Sequence, residues 1–266
     1  MATENSPRTV LCDLDGVVWL ARNPIPGSVE AIARLRESGH RVLFVTNNSL
    51  SRVEDQEAAL LAIGVPAEND VLTSSMAAAL LVQPHERVLV AGGPGVVQAL
   101  ERRGAVCVAA AEVDAGALVD VVVVGLHRDF DYVGLARAAR AIHRGARLIG
   151  TNDDATYPTP DGETPGGGAI LAAVSTAAGV IPVIAGKPYE PMAELVRHTI
   201  GADAASRALM VGDRPSTDGL FARTLGCTFA LVHTGVTSRQ ALVQPIPDLR
   251  VEDLAAVAEA LLHHCP

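Results

Sequence analysis

The sequence predicts an α/β protein built on parallel strands that helices cover on both faces. Strand-like and helix-like segments alternate along almost all of the 266 residues. The strand-like segments are nearly continuous runs of Val, Leu and Ile, which is typical of parallel strands buried on both faces. Hydrophobic residues make up 49% of the chain and aromatic residues only 3%, a balance that fits packed layers of strands and short helices. The length allows one large domain or two smaller ones.

The first part of the chain alternates strand, helix, strand, helix, strand, helix. The predicted segments are, in order, 9–15, 27–38, 40–47, 52–64, 69–74 and 75–83. The first helix stops at Gly39 and the second at Gly64, because glycine commonly follows the last helical residue. The third stops before Pro84, since proline cannot continue a helix.

The alternation starts again near residue 87 and continues to the C-terminus. Strands are predicted at 87–92, 105–109, 119–125, 146–152, 207–213, 227–235 and in the first part of 247–264. Helices are predicted at 95–104, 131–145, 169–179, 192–201, 216–226 and in the rest of 247–264. Between residues 153 and 168, "DDATYPTPDGETPGGG" is rich in Pro, Gly and acids and predicts a loop.

Charge and composition exclude several classes of function. The formal net charge of −9 argues against nucleic acid or an anionic membrane as the main partner, because both bind basic patches. No run of about 18 apolar residues exists in the sequence, so no membrane span is expected. The four scattered cysteines lack zinc-type spacing and the N-terminus lacks a signal pattern, so a cytoplasmic protein with reduced thiols is expected.

Two carboxylates lie at the end of the first predicted strand, in "LCDLDGVVWL" at residues 11–20. Residues on a strand alternate between faces, so Asp13 and Asp15 are expected to point the same way. Two like charges on a buried strand repel and lose hydration unless a cation or a proton lies between them. The alternative interpretation is a strand that simply leaves the sheet through a polar turn.

Polar residues follow other predicted strands as well, and in an open parallel sheet ligands bind beyond the carboxyl ends of the strands. The polar residues expected beyond the carboxyl ends of the strands are Asp13, Asp15, Thr46, Asn47, Asn48, Ser49, Lys187, Asp213, Arg214, Thr217 and Asp218. Mg²⁺ is a hard cation that binds oxygen ligands and keeps several waters. Asp13 and Asp213 are therefore candidates to bind Mg²⁺ directly, and Asp218 is a candidate to bind it through water.

The remaining residues complete a site for a phosphate monoester. Lys187 would neutralise the nucleophile and the phosphate, while Thr46 and the backbone N–H of Asn47 would donate to phosphoryl oxygens. Asp13 would attack phosphorus and form an aspartyl phosphate. Asp15 would protonate the leaving alkoxide and then deprotonate the hydrolytic water. The residues therefore predict a Mg²⁺-dependent phosphatase that acts on a small phosphorylated metabolite.

Four motifs in this order resemble those of the haloacid dehalogenase superfamily of phosphohydrolases: "DLDGVVW", "VTNNS", "GKP" and "GDRPSTDG". "TSS", "GTNDDATYPTPDGETPGGGAI" and "HTGVTS" further resemble its class IIA, 4-nitrophenylphosphatase-like branch. Each motif alone is common, whereas four in order at strand ends are specific. The functional residues that the resemblance implies are the nucleophile Asp13, the general acid/base Asp15, the phosphoryl ligands Thr46 and Lys187, and the magnesium ligands Asp13, Asp15 (backbone carbonyl), Asp213 and Asp218 (through waters).

The resemblance also implies the domain organisation. A Rossmann-like parallel-sheet core is expected at residues 1–82 and 183–266, with an α/β cap domain inserted at 83–182 that selects the substrate. Branch members hydrolyse phosphoglycolate, glycerol phosphate, pyridoxal phosphate or nucleotides, and a sugar phosphate is a further candidate substrate. Members often pair through the cap, so a homodimer is an alternative to a monomer.

Several alternatives stay open from the sequence. Asn152 and Asp153 either touch the substrate or start a turn. Gly219 and Ala222 depart from the family pattern, and glycine in a first helical turn costs roughly 0.5–1 kcal/mol relative to alanine, so a looser helix around Asp218 is expected. The alternative functions are a phosphotransferase on the same core and a non-catalytic binding module.

Overall fold

A computed structural model describes residues 7–159 and 162–262 of the chain. The elements of the first part are β1 (Thr9–Cys12), β2 (Trp19–Leu20), β3 (Asn23–Pro24), α1 (Ser28–Glu37), β4 (Arg41–Thr46), α2 (Val53–Ala62), β5 (Val71–Thr73) and α3 (Ser74–Leu80). The middle part contains β6 (Arg87–Ala91), α4 (Pro94–Arg103), β7 (Val106–Cys107), α5 (Ala110–Asp114), β8 (Val121–Val124), α6 (Tyr132–His143), β9 (Arg147–Gly150), β10 (Thr156–Thr159), β11 (Gly162–Pro165) and α7 (Gly167–Ala178). The last part contains β12 (Val183–Ile184), α8 (Glu190–Ile200), α9 (Ala202–Ser206), β13 (Leu209–Gly212), a π-helical turn (Pro215–Gly219), α10 (Leu220–Leu225), β14 (Thr228–Val232), β15 (Leu249–Val251) and α11 (Leu254–Leu262).

The described residues divide into two compact units. The first unit takes its residues from Met1–Thr46, Glu54–Leu72 and Val196–Pro266. The second takes its residues from Asn47–Val53 and Thr73–Leu195. The core and cap boundaries expected from the sequence, at residues 82/83 and 182/183, stay a prediction.

The first unit contains a sheet with the strand order β15-β14-β13-β1-β4-β5. β1 pairs in parallel with both β4 and β13, and β14 and β15 extend the parallel pairing beyond β13. All side chains of β1 and β13 are buried, as central parallel strands require. The chain moves outward from β1 on one side and outward from β13 on the other, so the strand order reverses between these two strands. Ligands bind at such a switch point, beyond the carboxyl ends of the strands.

The second unit contains a separate sheet with the strand order β12-β9-β8-β6-β7. Its paired strands all run parallel. Its core is built from the aliphatic side chains of the strands and of α6 and α7, including Val122, Ala138, Ile142 and Val174. The α/β class and the parallel sheets predicted from the Val-rich runs are confirmed.

Some local predictions were wrong. The region 153–168 is not a loop throughout, because β10 and β11 pair as antiparallel strands with Tyr157 opposite Thr164. The short helices α5 and α9 were not predicted, and the predicted helix at 216–226 begins as a π-helical turn. Within the described residues, no helix combines the length and the apolar character that crossing a bilayer requires.

Candidate active site

Three carboxylates of the first unit lie together at the switch point. Asp13 comes directly after β1, Asp213 directly after β13, and Asp218 lies in the π-helical turn that follows. One carboxylate oxygen from each residue lies within 4.8 Å of the others. The backbone N–H of Asp13 donates to the carbonyl of Val211 at 2.9 Å, which continues the β1–β13 pairing up to the first carboxylate. We refer to Asp13, Asp213 and Asp218 as the carboxylate trio.

Asp213 is the most perturbed member of the carboxylate trio. Its side chain is only 4% exposed, and this burial is the main reason why its pKa is raised to about 7. The negative charges of Asp218 and Asp13 raise the pKa further. The backbone N–H of Val236, which donates to Oδ2 at 2.7 Å, and the charge of Arg214 act in the opposite direction. The protein groups around Asp213 therefore do not stabilise its ionised form enough, and an additional positive charge beside the carboxylate would do so.

Asp218 is held by backbone that surrounds it closely. Its side chain is 1% exposed, and Oδ2 accepts a hydrogen bond from the backbone N–H of Arg214 at 3.1 Å. A Cβ atom on Gly212 would overlap the Asp218 carboxyl group, so only glycine fits at the end of β13. Close packing also explains the glycine at position 219, because a Cβ there would lie 2.9 Å from the Phe229 ring. Asp218 is thus closely packed, and the loosening expected from Gly219 and Ala222 stays a prediction.

Two more glycines surround Asp213. Gly16 has φ +88°, and a Cβ there would lie 2.6 Å from Asp213 Oδ2. A Cβ on Gly235 would overlap the same oxygen. Thr234 Oγ1 donates to the carbonyl of Gly16 at 2.5 Å, which joins the loop after β14 to the turn after β1. The carboxylate trio is thus a crowded group of hard oxygen donors in a backbone cradle, which fits a divalent cation such as Mg²⁺ or Ca²⁺.

The sequence suggested that Asp13 and Asp15 lie on the same face of a strand, and this prediction was wrong. β1 ends at Cys12, and the chain turns so that the N–H of Gly16 donates to the carbonyl of Trp19 at 2.8 Å. Asp15 lies in this turn and is exposed, and its carboxylate is not a member of the trio. Its exposure leaves it accessible to a bound molecule. Thr46, the last residue of β4, is 3% exposed.

The second unit contains a different polar group, centred on Asn47. The Asn47 side-chain amide makes two hydrogen bonds to the backbone of Lys187: the N–H of Lys187 donates to Oδ1 at 2.8 Å, and Nδ2 donates to the Lys187 carbonyl at 3.0 Å. Nδ2 also donates to Asp154 Oδ2 at 3.0 Å. The backbone carbonyl of Asn47 accepts from Asn152 Nδ2 and from Ser74 Oγ, both at 2.8 Å. We call Asn47, Asn152, Asp154 and Lys187 the amide cluster.

Lys187 is unusual in two respects. It is the only lysine in a chain with 21 lysine and arginine residues, and it is only 1% exposed. A Cβ on the preceding Gly186 would lie 2.5 Å from Asn47 Oδ1 and 2.6 Å from the carbonyl of Thr151, which explains the glycine of "GKP". A buried lysine is rare and costly unless polar groups surround it, which makes Lys187 a candidate functional residue.

Comparison with known sequence families decides the affiliation of the chain. A family model described as haloacid dehalogenase-like hydrolase matches residues 10–106, and a second, described as HAD-hydrolase-like, matches residues 184–257. The chain belongs to the haloacid dehalogenase-like hydrolases. The resemblance inferred from the four sequence motifs is confirmed.

Individual relatives within this family are phosphatases by name. The chain is 38% identical over 235 residues to a 5′-nucleotidase of Bacillus subtilis, covering 86% of this chain and 88% of that protein. A p-nitrophenyl phosphatase from Archaeoglobus fulgidus superposes with a TM-score of 0.86 at 30% identity, covering 96% of this chain and 99% of that one. A glycerol phosphate phosphatase from Mycobacterium tuberculosis, solved in complex with magnesium, gives 0.85 at 33% identity, covering 96% and 77%. The prediction of a phosphoric monoester hydrolase is confirmed.

The structure of this haloacid dehalogenase-like hydrolase gives some predicted residues a new context. Asn152 is 3% exposed, and its amide is used internally: Nδ2 donates to the carbonyl of Asn47 and Oδ1 accepts from the N–H of Asp154 at 3.1 Å. A direct contact between Asn152 and a substrate stays a prediction. Asp153 is exposed and accepts a hydrogen bond from the hydroxyl of Tyr189 at 2.5 Å. This hydrogen bond is the main cause that raises the pKa of Tyr189 to about 12.

Sequence reasoning did not single out Asp154, Tyr189 or Gly235. Asp154 follows the Asn152-Asp153 pair in "TNDD", and Tyr189 follows the "GKP" motif by one residue, so proximity to motifs was the available signal. Gly235 lies in "HTGVTS", but the overlap with Asp213 that explains it depends on a contact across more than 20 residues of chain.

Proposed function

We propose that this enzyme is a Mg²⁺-dependent phosphatase that hydrolyses a small phosphate monoester through an aspartyl phosphate on Asp13. The observation that carries the proposal is the carboxylate trio at the switch point of the parallel sheet, with carboxylate oxygens within 4.8 Å. A cation is needed there because three crowded like charges, two of them buried, repel one another. We assign Asp13, Asp213 and the backbone carbonyl of Asp15 to Mg²⁺, and Asp218 to its bound waters.

Mg²⁺ bound there would supply charge neutralisation for an anionic phosphoryl group. The residues of the chain then have separate tasks. We assign Thr46, the backbone N–H of Asn47 and the ammonium group of Lys187 to the phosphoryl oxygens, which they stabilise as negative charge redistributes. The two hydrogen bonds between the Asn47 amide and the Lys187 backbone support this assignment, because they fix the start of the lysine side chain.

The reaction proceeds in two displacements at phosphorus. A carboxylate oxygen of Asp13 attacks phosphorus, the bond to the ester oxygen breaks, and protonated Asp15 donates its proton to the leaving alkoxide. Asp15, now ionised, removes a proton from a water that attacks the aspartyl phosphate. The Asp13–phosphorus bond breaks, which releases inorganic phosphate and restores both carboxyl groups. The exposure of Asp15 is consistent with its access to both the leaving group and water.

The names of the relatives support a small phosphate ester as substrate. They include a 5′-nucleotidase, an acid sugar phosphatase and a D-glycerol 3-phosphate phosphatase. We propose that this chain acts on a member of this group, or on phosphoglycolate or pyridoxal phosphate, and that the cap expected at residues 83–182 selects among them. Cytoplasmic location and a homodimer stay predictions.

The decisive experiment measures phosphate release from these five substrate classes and from 4-nitrophenyl phosphate, with Mg²⁺ and with EDTA. We expect Mg²⁺-dependent release that falls by at least about 10³-fold in the Asp13→Asn variant, because the nucleophile is lost. The matched control is Asp203→Asn, an exposed aspartate in α9, which should keep full activity.

Two outcomes distinguish the alternative functions. Phosphate found on an added acceptor alcohol such as glycerol, in preference to water, would identify a phosphotransferase. No release from any ester, with Mg²⁺ binding retained, would favour a non-catalytic binding module and contradict the proposal.

A further inference from the structure

The loop between β14 and β15 lies against one member of the carboxylate trio. Val236 in this loop donates its backbone N–H to Asp213 Oδ2 at 2.7 Å, and a Cβ on the preceding Gly235 would overlap the same oxygen. None of residues 233–248, all of which the structure describes, belongs to a helix or a strand. Because the loop has no regular structure of its own, other contacts must hold it against this buried carboxylate.

One arginine of β15 binds the backbone of this loop at several points. Nη2 of Arg250 donates to the carbonyl oxygens of Arg239 at 2.7 Å and of Ala241 at 3.1 Å. A third carbonyl oxygen, that of Ser238, lies 3.4 Å from the same nitrogen. Nε of Arg250 donates to Nε2 of His233, the first residue of the loop, at 3.0 Å. The rigid fork of the guanidinium group thus joins positions of the loop that are eight residues apart.

The partners of the two His233 ring nitrogens determine the tautomer of the ring. Nδ1 lies 3.1 Å from the carbonyl oxygen of Thr237, which can only accept a hydrogen bond. Nε2 faces the guanidinium group of Arg250, which can only donate one. The ring therefore carries its proton on Nδ1 and a lone pair on Nε2. In this neutral form it connects Arg250 to Thr237, the residue that directly follows Val236.

The histidine is anchored to the sheet through its own backbone. The N–H of His233 donates to the carbonyl of Glu252 at 3.0 Å, which continues the parallel β14–β15 pairing by one residue. The Glu252 side chain also forms an ion pair with Arg239, whose carbonyl Arg250 binds. We call His233 and Arg250, with the contacts that they make to residues 237–241, the loop clasp. The loop clasp ties this segment to the edge strand of the sheet.

We propose that the loop clasp positions Asp213 for metal binding, because it holds the Val236 N–H on the carboxylate oxygen. His233 and Arg250 are then positioning residues that act through the loop backbone. Hydrogen bonds to a metal-binding carboxylate fix its orientation, and their loss typically lowers metal affinity. The effect on the metal rests on the proposed function, whereas the effect on the Val236 N–H does not.

Amide hydrogen exchange at Val236 tests the loop clasp without metal or turnover. The full-length, ¹⁵N-labelled protein is followed by NMR in EDTA, and the Val236 N–H should exchange more slowly than in the unfolded chain, because it is hydrogen-bonded. Arg250→Lys keeps the charge but loses the fork, so we expect exchange at Val236 to become at least about tenfold faster. Arg207→Lys, an exposed exchange of the same two residue types, is the matched control and should leave the rate unchanged.

Two substitutions of His233 separate its hydrogen bonds from its volume. His233→Leu fills similar space without either ring hydrogen bond, so exchange at Val236 should accelerate as it does in Arg250→Lys. His233→Gln offers an amide oxygen that can accept from Arg250, so we expect it to retain most of the wild-type protection. The ¹⁵N spectrum of the wild-type His233 ring should show a protonated Nδ1 and an unprotonated Nε2. A role in filling space alone would give the opposite order, with leucine tolerated better than glutamine.

Isothermal titration calorimetry with Mg²⁺ connects the loop clasp to the metal site. We expect Arg250→Lys and His233→Leu to bind Mg²⁺ about tenfold more weakly than the wild type, whereas His233→Gln and Arg207→Lys should bind it nearly as well.

Three outcomes would overturn the proposal, and they are distinguishable. Unchanged exchange at Val236 in Arg250→Lys and His233→Leu would show that the loop clasp does not hold the loop. Faster exchange with unchanged Mg²⁺ affinity would show that the loop does not position a metal ligand. Failure of the wild type itself to bind Mg²⁺ would contradict the proposed function and the metal-positioning role together.

Discussion

The side-chain amide of Asn47 is hydrogen-bonded to both backbone polar groups of Lys187, at 2.8 and 3.0 Å, although 140 positions separate the two residues in the sequence. The amide thereby pairs with the backbone of a single residue, as a neighbouring β-strand would. The same Nδ2 also donates to Asp154, which fixes the orientation of the amide. The position of the single lysine therefore depends on a neutral side chain with no reactive group of its own.

Substitution of Asn47 tests this dependence. Asn47→Ala leaves the Lys187 N–H and carbonyl without these partners, and each lost hydrogen bond costs roughly 0.5–1.5 kcal/mol. We expect kcat/KM for 4-nitrophenyl phosphate to fall about 10- to 100-fold, measured by steady-state kinetics, because the ammonium group is misplaced. Asn23→Ala, at an exposed position in β3, is the control and should leave the kinetics unchanged. Wild-type kinetics in Asn47→Ala would show that the two hydrogen bonds do not position the lysine.

Amine labelling reports on the same relationship without turnover. Lys187 is the only ε-amine of the chain and is 1% exposed, so an acetylating ester should modify it slowly in the folded protein and rapidly in denaturant. Mass spectrometry of the peptide that contains residue 187 gives the rate. We expect a faster rate in Asn47→Ala and an unchanged rate in Asn23→Ala. Rapid labelling of the folded wild-type protein would contradict the buried position.

A positive charge at position 187 should not be sufficient for activity without the shape of a lysine side chain. Arginine is a rigid planar fork with a larger head than an ammonium group, and the site of Lys187 is fully buried. We expect Lys187→Arg to lose at least about 10²-fold in kcat/KM while it keeps the net charge. Circular dichroism checks that the variant folds. Arg207→Lys, an exposed exchange of the same two residue types, is the matched control.

Metal binding should appear in thermal stability. The proposed site would bind Mg²⁺ in the folded chain and not in the unfolded one, so the apparent Tm should rise with Mg²⁺ concentration. Asp213→Asn removes one of three crowded charges, so in EDTA we expect it to be at least as stable as the wild type. In excess Mg²⁺ the order should reverse, because the variant has lost a ligand. Differential scanning calorimetry of both proteins, with Asp203→Asn as control, measures this reversal. Equal Mg²⁺ responses in the wild type and Asp213→Asn would remove Asp213 from the metal site.

Alkaline stability should depend on Cys227. Burial is the main cause that raises the pKa of this thiol to about 11, compared with 9.0 in the unfolded chain. The folded state therefore retains the proton between these values, so the stabilisation from Cys227 is complete below pH 9 and is lost as the pH rises towards 11. We expect the free energy of unfolding of the wild type to fall by up to about 2 kcal/mol more than that of Cys227→Ala over this interval, measured by urea titration. Parallel pH profiles of the two proteins would contradict the buried, protonated thiol.

The sequence predicted the elements whose patterns are long and regular. β1, β4 and β13 carry uninterrupted apolar runs that end at polar motifs, and both features were visible in the sequence. The β10–β11 pair was missed because prolines and a glycine interrupt its strands, and such residues usually indicate loops. The helices α5 and α9 have only five residues each, which is too short for a helical period to be recognised.

The grouping of the three carboxylates was predictable from the sequence, but the contacts of the polar side chains were not. Asp13, Asp213 and Asp218 could be grouped because strand ends in a parallel sheet share one edge. The partner of an amide side chain cannot be read from its type, so Asn47 was assigned to phosphate through its backbone while its side chain binds Lys187. For Asn152 the sequence left substrate contact and turn formation open, and the structure shows hydrogen bonds that only tertiary packing creates.

The glycines around the carboxylate trio have a consequence for the variation that this enzyme tolerates. Gly16, Gly212 and Gly235 carry no reactive atom, yet a single methyl group at any of them would intrude on a carboxylate oxygen or carbon. In a saturation library selected for phosphate release, substitutions at these three glycines should therefore be depleted as strongly as substitutions in the carboxylate trio. The room that these carboxylates occupy is kept by three residues that have no side chain.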